Sequence, residues 1–267
     1  MKITVPIPLA ALALAPFFQE RPAPAAFDHT HAAWTAVLKE HARDGGFDYA
    51  ALKKDDARLR AYLRSLEAVT KEQHDGWERD EQLAFWINAY NAYTIRKVVG
   101  GYPVKSIKKL GGLFTSVWDK EFIPLNALHP KGAGDELSLN DIEHGILRPR
   151  FEDARVHAAI NCASKSCPPL LDVAYTAKEI GRQLERQVKA WLADPARNRF
   201  EAAAKRARVS KIFDWFEEDF ERGGGTVAGW IAKYAPREHA EWLAAGGVRL
   251  SYLDYDWSLN DAPPRDR

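Results

Sequence analysis

The sequence contains two cysteines, Cys162 and Cys167, and both stand in the stretch HAAINCASKSCPPLL at residues 157–171. Two cysteines this close can do three kinds of chemistry. One thiolate can act as a nucleophile, the two can form a disulfide, or the pair can cycle between these forms as a redox centre. The gap of four residues between them differs from the two-residue gap of thioredoxin-like centres, which weighs against redox chemistry.

A thiol nucleophile needs a neighbouring base, and the base needs a residue that orients it. Residues able to take these roles are concentrated between 138 and 167, with two more on an earlier helix. The candidate bases are His144 and His157, and the candidate orienting residues are Glu143, Asn161, Asn88 and Asn91. Together with the two cysteines, these residues form the predicted site.

Residues 154–162, ARVHAAINC, alternate in a way that predicts a β-strand. Because side chains alternate between the two faces of a strand, His157 and Asn161 would share one face and Cys162 would point to the other. His157 would then not reach Cys162, whereas Cys167 would lie beyond the strand in a loop. If one cysteine is a nucleophile, this geometry favours Cys167.

The elements around the site predict an α+β fold, a helix-rich single domain over residues 27–260 with a small sheet of short, non-adjacent strands. The strongest helical signal covers 78–100, where apolar side chains occupy most of the circumference, as in a buried central helix. Asn88 and Asn91 lie three positions apart on this helix. A buried asparagine must find hydrogen-bond partners, so we expect both to brace loops. The segment LSLNDIEHGILRPRF at 137–151 predicts a further helix, capped by Ser138.

The charge of the chain is nearly balanced, with 38 lysines and arginines against 37 aspartates and glutamates. A broad basic surface for nucleic acid is therefore not expected, and Lys105, Lys108 and Lys109 are interpreted as a solvated face. The segment GGYPVKSIKKLGG lacks the context of a phosphate loop, and no histidine pair has the helical spacing of a zinc site. The sequence predicts no cofactor and no metal, and it leaves a small molecule or a peptide as the expected ligand. It does not indicate an oligomeric state.

Residues 1–26 have a basic start, an apolar run, and then small residues and prolines, which is typical of a secretory signal peptide. The apolar run is short for a membrane span and contains prolines. We therefore expect a periplasmic or secreted protein without a membrane span in the mature chain, with an uncleaved N-terminal membrane anchor as the alternative. Export makes a disulfide between the two cysteines the default expectation. Residues 261–267 are predicted to form a disordered tail.

Five blocks of the sequence, in this order, resemble the DUF547 domain family: LAFWINAYNAYTI, LSLNDIEHGILR, VHAAINCASKSCPPL, IFDWFEEDF and LDYDWSLN. The similarity spans roughly residues 80–257, and the blocks include Glu143, His144, His157 and both cysteines. The family is largely uncharacterised, so the resemblance implies membership of a family but does not imply which reaction, if any, the protein catalyses. Its bacterial members resemble exported proteins, which agrees with the predicted signal peptide.

These observations lead to one main hypothesis and two alternatives. The main hypothesis is an exported hydrolase or acyl transferase with Cys167 or Cys162 as nucleophile. His144 or His157 would be the base, and Glu143 or an asparagine would orient it. The first alternative is a non-catalytic periplasmic ligand-binding protein whose Cys162–Cys167 disulfide shapes a ligand loop. The second is a thiol–disulfide redox protein.

Overall fold

The computed structural model describes residues 26–129 and 136–263. Apart from its last residue, the predicted signal peptide lies outside this part of the chain, and so do residues 264–267 of the predicted tail. Within the described ranges, no helix combines the length and the apolar character that crossing a membrane requires.

The N-terminal part consists of short helices around a small antiparallel hairpin. The helices are α1 (Ala32–His41), α2 (Tyr49–Lys54), α3 (Ala57–Glu67) and α4 (Lys71–Asp75), and the strands are β1 (Ala42–Arg43) and β2 (Gly46–Phe47). Local caps define two helix starts. The Asp48 carboxylate accepts a hydrogen bond from the Ala51 N–H at the start of α2, and Thr70 forms a capping box with Gln73 at the start of α4.

The long helix α5 (Arg79–Gly101) is the centre of the larger of two apolar clusters. Every side chain from Leu83 to Ile95 is buried, including Asn88 and Asn91. A helix that is covered on all sides must lie inside the fold, as its sequence predicts. The predicted helix over 78–100 is therefore confirmed.

The chain after α5 carries the predicted site on short helical segments. These are two 3₁₀ turns (Ile107–Leu110 and Asn126–Leu128), a π-helical segment (Asp141–Leu147), α6 (Arg148–Phe151), α7 (Val156–Ala159) and α8 (Ile180–Ala193). The predicted cap is present, because Ser138 Oγ accepts the Asp141 N–H and the Asp141 carboxylate accepts the Ser138 N–H. The wider π-helical turn contains Glu143 and His144, and is followed by Pro149, which cannot donate a helical hydrogen bond.

The C-terminal part forms a second, smaller apolar cluster around a three-stranded sheet. Its elements are β3 (Arg199–Glu201), β4 (Arg206–Val209), α9 (Ile212–Trp215), α10 (Glu217–Phe220), α11 (Val227–Ala232), α12 (Arg237–Ala244) and β5 (Arg249–Tyr252). The central strand β4 pairs antiparallel with β3 and parallel with β5. Helix α7 belongs to both clusters, since Val156 packs in the larger and Ala158 in the smaller. The helix-rich α+β prediction with short strands is confirmed.

The strand predicted over 154–162 is wrong. Val156–Ala159 form helix α7, and the backbone becomes extended only at Ile160. The four residues of α7 are all buried, so the apparent alternation does not separate an inner from an outer face. Asp153 starts the helical turn, because its carboxylate accepts the Arg155 N–H and its carbonyl accepts the Val156 N–H.

The ordered chain continues past residue 260, where the predicted tail begins. The Ala262 N–H donates to the Phe47 carbonyl, and the Phe47 N–H donates to the Asn260 carbonyl. A Cβ on Gly46 would lie 2.5 Å from the Asn260 carbonyl oxygen, so this close approach requires glycine. Residues 261–263 are therefore held against the N-terminal hairpin rather than disordered.

Candidate functional site

A cavity of about 160 Å³ lies where the two apolar clusters meet. It brings together all five of the predicted chemical residues, which are Glu143, His144, His157, Cys162 and Cys167. Its remaining wall is mostly aromatic. The aromatic residues are Tyr90, Trp118, Trp215, Phe216, Tyr255 and Trp257. Since α7 is a helix and not a strand, His157 and Cys162 line the same cavity, contrary to the strand-based expectation.

Cys162 and Cys167 form a disulfide whose Cα atoms lie 6.3 Å apart. The described part of the chain therefore contains no free thiol. The two sulfurs are not equivalent. Cys167 is buried, and its Sγ accepts the Cys162 backbone N–H at 3.0 Å, whereas Cys162 is half-buried. The more accessible cysteine is thus Cys162, although the strand-based argument favoured Cys167.

The Tyr255 hydroxyl contacts both sulfurs. Its Oη donates to Cys167 Sγ at 3.2 Å, lies 3.3 Å from Cys162 Sγ, and accepts from Ser164 Oγ at 3.1 Å. Burial raises the pKa of Tyr255 to about 12, against a lowering by the Ser164 hydrogen bond and with a further rise from the Glu143 carboxylate. The phenol therefore keeps its proton at neutral pH and acts as a hydrogen-bond donor to the disulfide.

His157 is held by a carboxylate from the C-terminal part of the chain. Its Nε2 lies 2.7 Å from Asp219 Oδ2, and its ring stacks on Phe216 with centroids 4.1 Å apart. Arg148 Nε donates to the same Asp219 oxygen at 2.6 Å. Burial alone raises the pKa of Asp219, but the hydrogen bonds from His157 and Arg148 outweigh it and hold that pKa well below the ordinary value. Asp219 is thus ionised at neutral pH.

Glu143 faces the other side of the His157 ring. Its Oε1 lies 4.0 Å from His157 Nδ1, and its Oε2 accepts the Tyr90 hydroxyl at 3.2 Å. Burial raises the pKa of Tyr90 well above its ordinary value, and the Glu143 carboxylate adds to this rise. The imidazole therefore lies between two carboxylates, one in direct contact and one at longer range.

His144 lies at the exposed edge of the cavity. Its Nδ1 is 2.9 Å from a guanidinium nitrogen of Arg148. Within residues 26–129 and 136–263, neither cysteine sulfur has a hydrogen bond to a histidine nitrogen. The structure brings His144 and His157 into the same cavity as the disulfide without joining either histidine to a sulfur.

The three predicted asparagines lie behind the cavity and brace the backbone. Asn88 bonds both the N–H and the C=O of Tyr175. Asn91 donates to the Ala159 carbonyl and accepts the Asn161 N–H. Asn161 in turn donates to the Pro168 carbonyl across the disulfide loop. Asn91 and Asn161 therefore fix the chain on both sides of Cys162.

Three tryptophans form the outer rim of the cavity. The ring of Trp257 packs against Trp118 and Trp215, with centroids 5.2 and 5.6 Å away, and the ammonium group of Lys108 lies 3.8 Å from its centroid. Trp215 is 43% exposed. Such a rim offers flat apolar surface to a ligand beside the disulfide.

Sequence reasoning missed several residues that complete the site, namely Tyr90, Arg148, Phe216, Asp219 and Tyr255. All five stand in the sequence blocks that resemble the family, which is the signal that could have identified them. Among the described residues, no group of three or more histidine, cysteine or acidic side chains is arranged to hold a metal ion.

A family model described as "Protein of unknown function, DUF547" matches residues 74–192. No curated protein matches the chain, and no solved structure does. The matched residues supply both cysteines, Glu143 and both histidines of the cavity, whereas Asp219 and Tyr255 lie beyond the match. The resemblance inferred from the sequence blocks is confirmed over this range, where the chain matches the DUF547 family model.

Proposed function

We propose that this protein is an exported thiol–disulfide exchange protein, whose Cys162–Cys167 disulfide accepts two electrons from a dithiol bound in the cavity. The observation that carries the proposal is the unequal environment of the two sulfurs. Cys162 is half-buried at the cavity wall, whereas Cys167 is buried and its sulfur accepts hydrogen bonds from the Cys162 N–H and the Tyr255 O–H. The accessible Cys162 sulfur can be attacked by an incoming thiolate. The Cys167 sulfur, with two hydrogen-bond donors, can leave as a thiolate when the disulfide breaks.

In the first step, a substrate thiolate attacks Cys162 Sγ. The new sulfur–sulfur bond joins the substrate to Cys162, the Cys162–Cys167 bond breaks, and its electron pair goes to Cys167 Sγ. The two hydrogen bonds to this atom stabilise the negative charge as it forms, because bonds to a charged acceptor are stronger than bonds to a neutral one. Exchange is faster when the leaving thiol has a lower pKa.

In the second step, the other thiolate of the substrate attacks the substrate sulfur of the mixed disulfide. Cys162 leaves as a thiolate, and the substrate departs with its own disulfide. The two protons of the substrate dithiol end on Cys162 and Cys167, so atoms and electrons balance. A disulfide in a second protein partner would reoxidise the pair by the reverse of these steps.

The cavity wall supports a particular kind of substrate. Trp118, Trp215 and Trp257 form an apolar rim beside Cys162, which fits a dithiol carried by a peptide segment with an apolar or aromatic side chain next to a cysteine. The export expected from residues 1–26 agrees with this chemistry, because oxidising compartments maintain disulfides.

The test is the reduction potential of the pair, measured by equilibration with dithiothreitol and alkylation of the free thiols. Exchange proteins have potentials above about −270 mV, whereas structural disulfides lie below about −300 mV. We expect a value in the first range. A value in the second range would contradict the proposal and favour the alternative of a ligand-binding protein with a structural clamp.

A pair of single-cysteine variants tests the assigned direction of attack. In Cys167→Ser, the remaining Cys162 should form a mixed disulfide with oxidised glutathione, detected by mass spectrometry. In Cys162→Ser, the buried Cys167 should react at least about tenfold more slowly, since accessibility governs exchange. Equal rates, or a faster Cys167, would contradict the assignment.

A second candidate function is a cysteine hydrolase or acyl transferase that becomes active on reduction. The observation that favours it is the Asp219–His157 pair in the same cavity as Cys162, because a carboxylate-oriented imidazole can serve a thiol nucleophile. It predicts that the reduced protein, but not the oxidised one, releases nitrophenolate from a nitrophenyl ester. This activity should be lost in both Cys162→Ser and His157→Gln. No release by the reduced protein would exclude this candidate for simple esters.

A further inference from the structure

The turn formed by residues 111–116 presents two large apolar side chains to solvent. Leu113 is 89% exposed and Phe114 is 95% exposed. Among the other described residues, Trp215 is the one further large hydrophobic residue that is exposed, and it belongs to the cavity rim. Exposed apolar side chains on a projecting turn are a feature of surfaces that bind something.

The turn is firmly held at its base. The Gly112 N–H donates to the Thr115 carbonyl at 2.8 Å, and a Cβ on Gly111 would lie 2.7 Å from the same carbonyl oxygen. Ile107 and Val117, on either side of the turn, are both fully buried. Leu113 and Phe114 are therefore exposed on a turn whose two ends are held by the fold.

Exposed lysines flank the turn in the sequence. Lys105, Lys108 and Lys109 precede it and Lys120 follows it. Of the two acidic residues in this segment, Asp119 has its carboxylate engaged by Ser116 and Asn140, at 2.5 and 2.6 Å, and Glu121 also has a partner. The segment from 105 to 121 therefore carries more positive than negative charge around its apolar tip.

We propose that the 111–116 turn binds the surface of a bilayer that contains anionic lipids, with Leu113 and Phe114 inserted among the acyl chains. The lysines around the tip would contact the phosphate groups of the lipids. Inserted apolar side chains and nearby basic residues are the two contributions that interfacial binding to anionic lipid combines. A stable protein partner would need about 800 Å² of complementary surface on this side, and two side chains on a narrow turn do not provide it.

This surface is independent of the exchange chemistry but lies close to the cavity. Lys108 stacks on Trp257, and Trp118, two residues after the turn, packs on the same ring. Both tryptophans line the cavity. Docking through the turn would therefore hold the cavity rim near the lipid surface.

Cosedimentation of the full chain with vesicles tests the proposal. One set of vesicles contains phosphatidylcholine and phosphatidylglycerol, and the other contains phosphatidylcholine alone. We expect Leu113→Ser/Phe114→Ser to weaken binding to the anionic vesicles by more than about tenfold, because each substitution removes a buried apolar side chain from the bound state. Lys109→Gln/Lys120→Gln should weaken it by about tenfold, and only at low salt.

A matched control is Lys39→Gln/Lys178→Gln, which removes two exposed lysines elsewhere and should bind like the wild type. All variants carry the same N-terminal segment, so differences between them report the turn. Wild-type affinity of the double Ser variant would overturn the proposal, and so would equal binding to both vesicle types. If size-exclusion chromatography instead shows a wild-type dimer that the Ser variant abolishes, without vesicle binding, the turn is a self-association surface and the proposal is wrong.

Discussion

Asp219 and His157 are in direct contact at 2.7 Å although they are 62 positions apart in the chain. His157 stands on α7, which belongs to both apolar clusters, and Asp219 stands on α10 in the smaller one. Arg148 on α6 binds the same carboxylate. Arg222 donates to the other Asp219 oxygen at 2.9 Å. A buried carboxylate with three cationic or polar partners thus joins the family-matched segment to the C-terminal part of the chain, and it fixes one wall of the cavity.

We predict that Asp219→Ala destabilises the protein by about 3–5 kcal/mol, because it removes the buried carboxylate that His157 and Arg148 share, and removing one partner of a buried pair costs about this much. Chemical denaturation measures the change. The matched control is Glu218→Ala, which removes the other carboxylate bound to Arg148. Glu218 is 79% exposed, so its loss should cost less than about 1 kcal/mol. Equal effects of the two variants would contradict the structural role given to Asp219.

Stability should depend on pH through His31, which is buried and bonded through Nδ1 to the Tyr62 hydroxyl. Burial lowers the pKa of His31 from 6.5 to about 4, assisted by His29 and opposed by Asp28. Between these values the unfolded chain binds a proton that the folded chain does not, so stability falls as the pH drops from about 6.5 towards 4. The loss amounts to about 3 kcal/mol, since each unit of pKa is worth about 1.4 kcal/mol.

The variant His31→Asn should flatten this pH dependence, because asparagine does not titrate and tolerates the left-handed backbone at this position, where φ is 48°. Tyr62→Phe is the control. It removes the partner of His31 but keeps the titrating group, so it should lower stability while retaining the slope. Denaturation midpoints between pH 4 and 6.5 provide the measurement. A His31→Asn protein with the wild-type slope would assign the pH dependence to another group.

The redox chemistry of the disulfide should depend on the Tyr255 hydroxyl. Tyr255→Phe removes one of the two donors to Cys167 Sγ and so destabilises the reduced form, in which that sulfur can carry charge. A hydrogen bond to a charged group is worth about 1.5–3 kcal/mol. At about 30 mV for each 1.4 kcal/mol, the reduction potential should become more negative by about 30–60 mV. Tyr252→Phe, on β5 and outside the cavity lining, should leave the potential unchanged.

Local sequence patterns predicted the central helix α5 and the cap at Ser138, because both depend on residues that are neighbours in the sequence. The same kind of pattern failed at 154–162. There four buried residues in a row resemble a strand, and only the Asp153 turn and packing between two clusters select a helix. The pairing of His157 with Asp219 was not predictable from spacing, since it depends on how distant segments pack. The concentration of polar residues between 138 and 167 nevertheless indicated the position of the cavity, because Glu143, His144 and His157 all line it.

The two asparagines of α5 offer a test that separates the stability of the fold from the properties of the disulfide. Asn91 bonds the Ala159 carbonyl and the Asn161 N–H, immediately before Cys162. Asn88 likewise bonds one carbonyl and one N–H, both of Tyr175. Replacing either by alanine leaves one buried donor and one buried acceptor unpaired. Each variant should therefore lose about 2–5 kcal/mol of stability in denaturant titrations.

The two variants should differ at the disulfide. Asn91→Ala frees the backbone that positions Cys162 and its N–H, so the bond to Cys167 Sγ should weaken and the reduction potential should become more negative. Asn88→Ala should leave the potential at the wild-type value, because Tyr175 lies outside the cavity lining. Equal potentials in the two variants would mean that Asn91 only stabilises the fold. A shift confined to Asn91→Ala would identify it as the residue through which α5 positions the sulfur chemistry.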